Sequence, residues 1–103
     1  MKNKTYKLKK LEKNRWSILT NDMEHCFVCE NSFVDIHEIY GGSHRKTSMA
    51  NGFCVPLFRK HHEYVTLNAD GSNYLKQKCQ HEFEKTHTRD EFIKLIGRNY
   101  LWN

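Results

Sequence analysis

The sequence predicts an α+β fold: a small hairpin-helix (ββα) module with a Cys-x-x-Cys knuckle in front of it and further helices behind. Three observations carry that reading. Two short β-like runs, residues 33–37 (FVDIH) and 53–57 (FCVPL), flank a polar segment that begins with Gly41-Gly42. Cys26 and Cys29 precede the first run, and His61-His62 follow the second. From residue 73 onward, apolar residues recur at helical spacing.

The 103 residues suit one domain, read as a basic N-terminal arm over 1–15 and a single domain over 16–103. Only 38% of the residues are hydrophobic and the mean hydropathy is -0.84, so the core is small and a metal staple or partner adds to stability. Aromatic residues recur along almost the full length, which argues against disorder. A net charge of +5 and a pI near 9.1 favour DNA or another acidic partner, against the plainer reading of a basic soluble surface. The basic start is followed by no apolar stretch, and no run is long enough to span a bilayer, so no membrane association is expected. A reducing, cytoplasmic setting follows as the default. There Cys26, Cys29, Cys54 and Cys79 act as metal ligands or free thiols rather than as disulfides.

Each element has a local signal. In the lead, Lys2, Lys4, Lys7, Lys9, Lys10, Lys13 and Arg15 face a single acid, Glu12. It reads either as an arm lying along phosphates or as a solvated, frayed end. Residues 15–19 (RWSIL) are apolar enough to pack on the core as a strand, and Asn21-Asp22 turns the chain into the knuckle. Residues 33–37 alternate as a strand does; Gly41-Gly42 ends it, and a polar loop runs to Asn51-Gly52. In the second run Pro56 restricts pairing to an edge or strand end. The two runs form an antiparallel hairpin with a long loop. A short helix is expected over 59–65, a turn at Asp70-Gly71-Ser72, and a helix over 73–85 with Tyr74, Leu75, Cys79 and Phe83 at helical spacing. Thr88 and Glu91 fit a capping box for a last helix that carries Phe92, Ile93, Leu95 and Ile96, with Gly97 ending it. Residues 99–102 (NYLW) are apolar enough to dock on the body.

Two sets of residues carry chemistry. The thiolates of Cys26 and Cys29 converge on one tetrahedral ion, expected to be Zn²⁺, with His61 as third ligand. Cys54, His25 and His44 remain open as the fourth. The second set is His37 and His62. The hairpin aims the first, and the start of the helix the second, at one divalent ion that stabilises charge on a phosphodiester and on its leaving oxygen. Glu38 is the neighbouring candidate for the group that takes a proton from the attacking water, although strand neighbours point to opposite faces. It reads equally as a salt-bridge partner of Arg45. Arg45 and Lys46, together with Lys7, Lys9 and Lys10 of the lead, are the candidate DNA contacts.

Taken together, His37-Glu38-Ile39, Gly41-Gly42, Arg45-Lys46-Thr47-Ser48, Gly52-Phe53-Cys54-Val55-Pro56-Leu57 and His61-His62 resemble the HNH endonucleases. The catalytic module of these is the ββα-metal, or His-Me, finger. The similarity is strongest to a compact phage-borne subgroup and covers roughly residues 15–101, including the tail 92–101 (FIKLIGRNYL). The resemblance implies His37 and His62 as ligands to Mg²⁺, Mn²⁺ or another divalent ion, and Glu38 at the position of the general base. Asp35 is the alternative ligand. It implies a phage or prophage protein acting in the host cytoplasm. The chain departs from the pattern where Glu38 replaces a histidine, where Phe58 stands at a common cysteine position, where Asn51 is only the nearest match to the middle asparagine, and where Thr66 replaces a further histidine. Three functions are therefore expected in descending order: a metal-dependent DNA endonuclease, a non-catalytic DNA-binding protein on the same scaffold, and a small interaction or inhibitor protein.

Overall fold

A computed structural model describes residues 6–101 of the chain. Its order is α1 (Tyr6–Lys13), β1 (Val34–Glu38), α2 (Arg45–Asn51), β2 (Cys54–Phe58), α3 (Arg59–Leu67), α4 (Ala69–Phe83) and α5 (Arg89–Ile96). The fold is α+β, with one antiparallel hairpin and helices around it. Lys2, Lys4 and Trp102 lie outside the described residues.

β1 and β2 pair in the register Val34↔Phe58, Ile36↔Pro56 and Glu38↔Cys54. Both strands are edges, so Pro56 can sit mid-strand. Its carbonyl turns away from β1 and accepts the N–H of Phe27, 2.8 Å away, which draws the knuckle onto the outer side of β2. Most of β2 is buried, whereas every residue of β1 is only half-buried. β2 is therefore the floor of the core and β1 the strand that offers side chains to solvent.

The connection between the strands is helical rather than a loop. A 3-10 turn over Gly42–His44 leads into α2. Its polar letters hid the helix, which buries only Ser48 and Met49. The Ser48 hydroxyl donates to the carbonyl of Tyr40 (2.7 Å) and accepts its N–H (3.2 Å), so the one polar group turned inward is satisfied. Gly52 ends α2 in the left-handed conformation, φ 74°. A Cβ there would lie 2.8 Å from the ring of Trp16. Residues 15–19 form no strand. They run across this joint instead, with the N–H of Ile18 on the carbonyl of Gly52 at 2.9 Å.

The expected turn at residues 70–72 is the first part of α4, which starts at Ala69. Gly71 serves packing rather than a turn: an added Cβ would lie 2.7 Å from the ring of Tyr64 on α3. The capping box of α5 is present, with Thr88 accepting from Glu91 N–H and Glu91 from Thr88 N–H, and Gly97 closes the helix at φ 90°. Phe53, Phe83, Phe92 and Tyr40 form an aromatic centre with ring centroids 5.5 to 6.1 Å apart. Tyr100 docks on α4, its N–H 2.8 Å from Gln80 Oε1. The described part of the basic lead is α1, a helix beside α2 tied by an ion pair of Glu12 with Arg45.

Gly52→Ala is expected to cost about 2 kcal/mol or more, because the left-handed backbone alone costs an L-residue roughly 1–2 kcal/mol and the Trp16 ring must also move. The check is a lower urea midpoint with an unchanged m-value.

Candidate functional site

Two sites meet at the junction of β2 and α3. The first is the knuckle. Cys26 is buried and Cys29 exposed. The loop closes through Glu30 N–H to the Cys26 carbonyl (2.9 Å) and Cys26 N–H to the Asn31 carbonyl (2.7 Å), with Glu30 itself at φ 65°. Cys26, Cys29 and His61 place one ligand atom each within 4.8 Å of one another. Cys26 Sγ lies 3.5 Å from His61 Nδ1. Zinc–sulfur and zinc–nitrogen bonds of tetrahedral geometry put such atoms about 3.6 Å apart, so the group fits a zinc-like ion. Burial alone would raise the Cys26 thiol, but the N–H of Phe58, the His61 ring and the N–H groups of Cys29 and Val28 outweigh it and bring it down to about 6. A thiolate is thus prepared at neutral pH.

Cys54 does not join this group. It is fully buried opposite Glu38 on β1, facing the carbonyl of Ser48 at 3.8 Å, and burial pushes its thiol up to about 12. Cys79 is a helix-core thiol as the spacing indicates, also pushed up by burial to about 12. His25 points Nδ1 at Asp22 Oδ2, 2.8 Å away. His44 Nε2 lies by Gly97, the residue that closes α5.

The second site is built on the face of β1 that carries Asp35 and His37, both half-buried. His37 and His62 bring their ring centroids to 5.1 Å at 63° between planes. Two imidazoles sharing one ion through 2.0–2.1 Å bonds have centroids roughly 4.6–5.3 Å apart, so this spacing also fits. Asp35 shares a strand face with His37 because the two are separated by one residue. Its Oδ2 lies 3.5 Å from His62 Nδ1 and 3.9 Å from Arg59 Nε. A carboxylate on Nδ1 leaves Nε2 free to bind an ion, the usual arrangement behind a metal-binding histidine. Burial, with the nearby charges of His62 and Lys76 and against the pull of Glu38, lowers His37 to about 4. His37 is therefore a neutral imidazole with a lone pair at pH 7.

Glu38 points the other way, as alternation requires. Its Oε2 lies 2.6 Å from Arg15 and its Oε1 3.1 Å from Arg45 Nε, and Arg45 also holds Glu12 at 2.5 Å. Arg45 is thus engaged by carboxylates. Lys46 on α2 and Lys7, Lys9 and Lys10 on α1 are exposed. Asn51 bonds the Thr47 carbonyl of its own helix (2.9 Å), and Thr66 bonds the carbonyl of His62 (2.8 Å). The sequence pattern missed the aid that Phe58 N–H lends the thiolate, for which a backbone group leaves no signal. It undervalued Asp35, whose one-residue spacing from His37 was the signal.

Two outcomes follow. In metal-free native protein a thiol reagent should modify exposed Cys29 first and buried Cys26, held as a thiolate, more slowly; zinc should protect both, and Cys54 and Cys79 should react only on unfolding, as followed by absorbance and mass. The pH dependence has a defined sign. Because the folded value of His37 lies below its ordinary 6.5, the unfolded chain binds more protons between about pH 6.5 and 4. The metal-free protein should keep this stability above that window and lose up to about 3 kcal/mol through it as pH falls. His37→Gln should flatten that slope in urea melts at stepped pH.

Comparison with protein-family models, with curated proteins and with solved structures finds no match to this chain.

Proposed function

We propose that the protein is a metal-dependent DNA endonuclease that hydrolyses phosphodiesters at the His37–His62 site. The observation that carries this reading is the approach of those two rings, from a strand and from the helix after the hairpin, to 5.1 Å. A divalent ion such as Mg²⁺ or Mn²⁺, when bound there, supplies charge stabilisation to the scissile phosphate. Asp35 holds the tautomer and orientation of His62. Exposed Lys7, Lys9, Lys10 and Lys46 on α1 and α2 offer cations to the DNA backbone. Zn²⁺ at Cys26, Cys29 and His61 serves the fold: it fastens the knuckle to the first turn of α3, and His62 follows His61 directly.

Glu38 is the proton acceptor in this reading; its carboxylate lies on the face of β1 away from His37, so the strand end must turn to bring it to the ion, and its ion pairs set a further condition. Oε2 is buried beside Arg15, so Oε1 must accept from water, which requires Arg45 to leave it. A substrate phosphate in reach of Arg45 provides the exchange: the guanidinium moves from carboxylate to phosphate, and the freed carboxylate takes the proton. The same ion pairs favour a second reading, in which Glu38 is a fixed structural carboxylate and the protein binds DNA without cutting it.

Nicking of supercoiled plasmid with Mg²⁺ or Mn²⁺ separates the two. Cleavage should stop with EDTA, fall at least about 100-fold in His62→Ala, and fall by a similar factor in Glu38→Gln if the carboxylate accepts the proton. Salt-sensitive DNA binding with no cleavage of duplex, branched or single-stranded DNA establishes the second reading instead.

A further inference from the structure

The zinc-like group has three protein ligands and a gap at one definable place. A second two-ligand knuckle would put its first ligand three residues before His61, as Cys26 stands three before Cys29. That position is Phe58. Its ring lies 6.0 Å from the ring of His61, at the end of β2 beside the site. A phenyl group has no donor atom. Among the described residues the remaining histidine and cysteine candidates are committed elsewhere: Cys54 in the core, His25 on Asp22, His44 beside Gly97. Cys29 lies on the exposed side, so the group opens to solvent.

We infer that the metal held by Cys26, Cys29 and His61 keeps one coordination position outside the protein, next to Phe58, occupied by exchangeable water and open to a small thiolate. Exchange is a substitution without redox change: the incoming thiol loses its proton to buffer, its sulfur forms the new bond to the metal, and one water leaves. Closed structural sites have four protein ligands, whereas three protein ligands with an exchangeable fourth position mark a site that can take an external ligand. The inference rests on the zinc reading but not on DNA cleavage. It predicts a centre that binds metal less tightly than a four-ligand knuckle pair and that responds to thiols in its surroundings.

Cobalt-loaded protein provides the test. The wild-type absorption spectrum should gain sulfur-to-cobalt charge-transfer intensity when 2-mercaptoethanol is added, the gain amounting to about half of what the two protein thiolates already give. Phe58→Cys should show that intensity without added thiol, ignore 2-mercaptoethanol, and hold zinc at least about tenfold more tightly against a chelator, since even outer-shell changes move metal affinity about 10–100-fold. His25→Ala should bind like wild type. A wild-type spectrum insensitive to thiol, or loss of metal in His25→Ala, overturns the inference by showing a fourth protein ligand. Failure of the wild type to bind cobalt or zinc at all, in protein whose circular dichroism shows it folded, overturns the zinc reading and this inference with it.

Discussion

The joint between β2 and α3 is the constraint on which both sites depend. Pro56 near the end of β2 accepts from Phe27 at 2.8 Å, and the Cys26 sulfur lies 3.5 Å from His61 at the start of α3. The knuckle is therefore clamped to the end of the strand before any ion arrives. α3 starts at the next residue, and two adjacent positions on it serve different partners. His61 turns to the sulfurs and His62 to Asp35 and His37. Neighbours on a helix differ by about 100° in direction, which is why one dipeptide can face a knuckle and a strand at once. A shift of α3 by one residue would lose both arrangements together.

The strand β1 divides labour in a similar way. One face carries Asp35 and His37 to the helix; the other carries Glu38 to Arg15 and Arg45. Through Arg45 and Glu12 the second face reaches α1, so the basic lead is joined to the hairpin by charge. Removing one member of such a half-buried set leaves another charge without its counterion, which costs more than the set contributes when whole. This ties the position of the lysine-bearing helix to the same strand that carries the histidines.

Much of this was legible in the chain. Alternation in 33–37 and 53–57 placed the hairpin, and the Thr88 to Glu91 spacing located the last helix by its cap. The three-ligand group followed from knuckle spacing and a histidine after the strand. The polar stretch after Gly41-Gly42 concealed α2, because a short helix that buries two residues has too little apolar periodicity to declare itself. Gly71 suggested a turn, while its actual role is to let α3 approach α4, a contact that sequence spacing does not encode. Cys54 had the right chemistry for a ligand but is fully buried against Ser48 of α2, and that burial was not visible from letters alone.

In the proposed function His37 and His62 share one divalent cation. Histidine side-chain resonances recorded during addition of substoichiometric Mn²⁺ to zinc-loaded protein test it directly. A shared ion broadens the rings of His37 and His62 together and leaves those of His25, His81 and His87 sharp. Broadening of only one of the pair, or of neither, contradicts it.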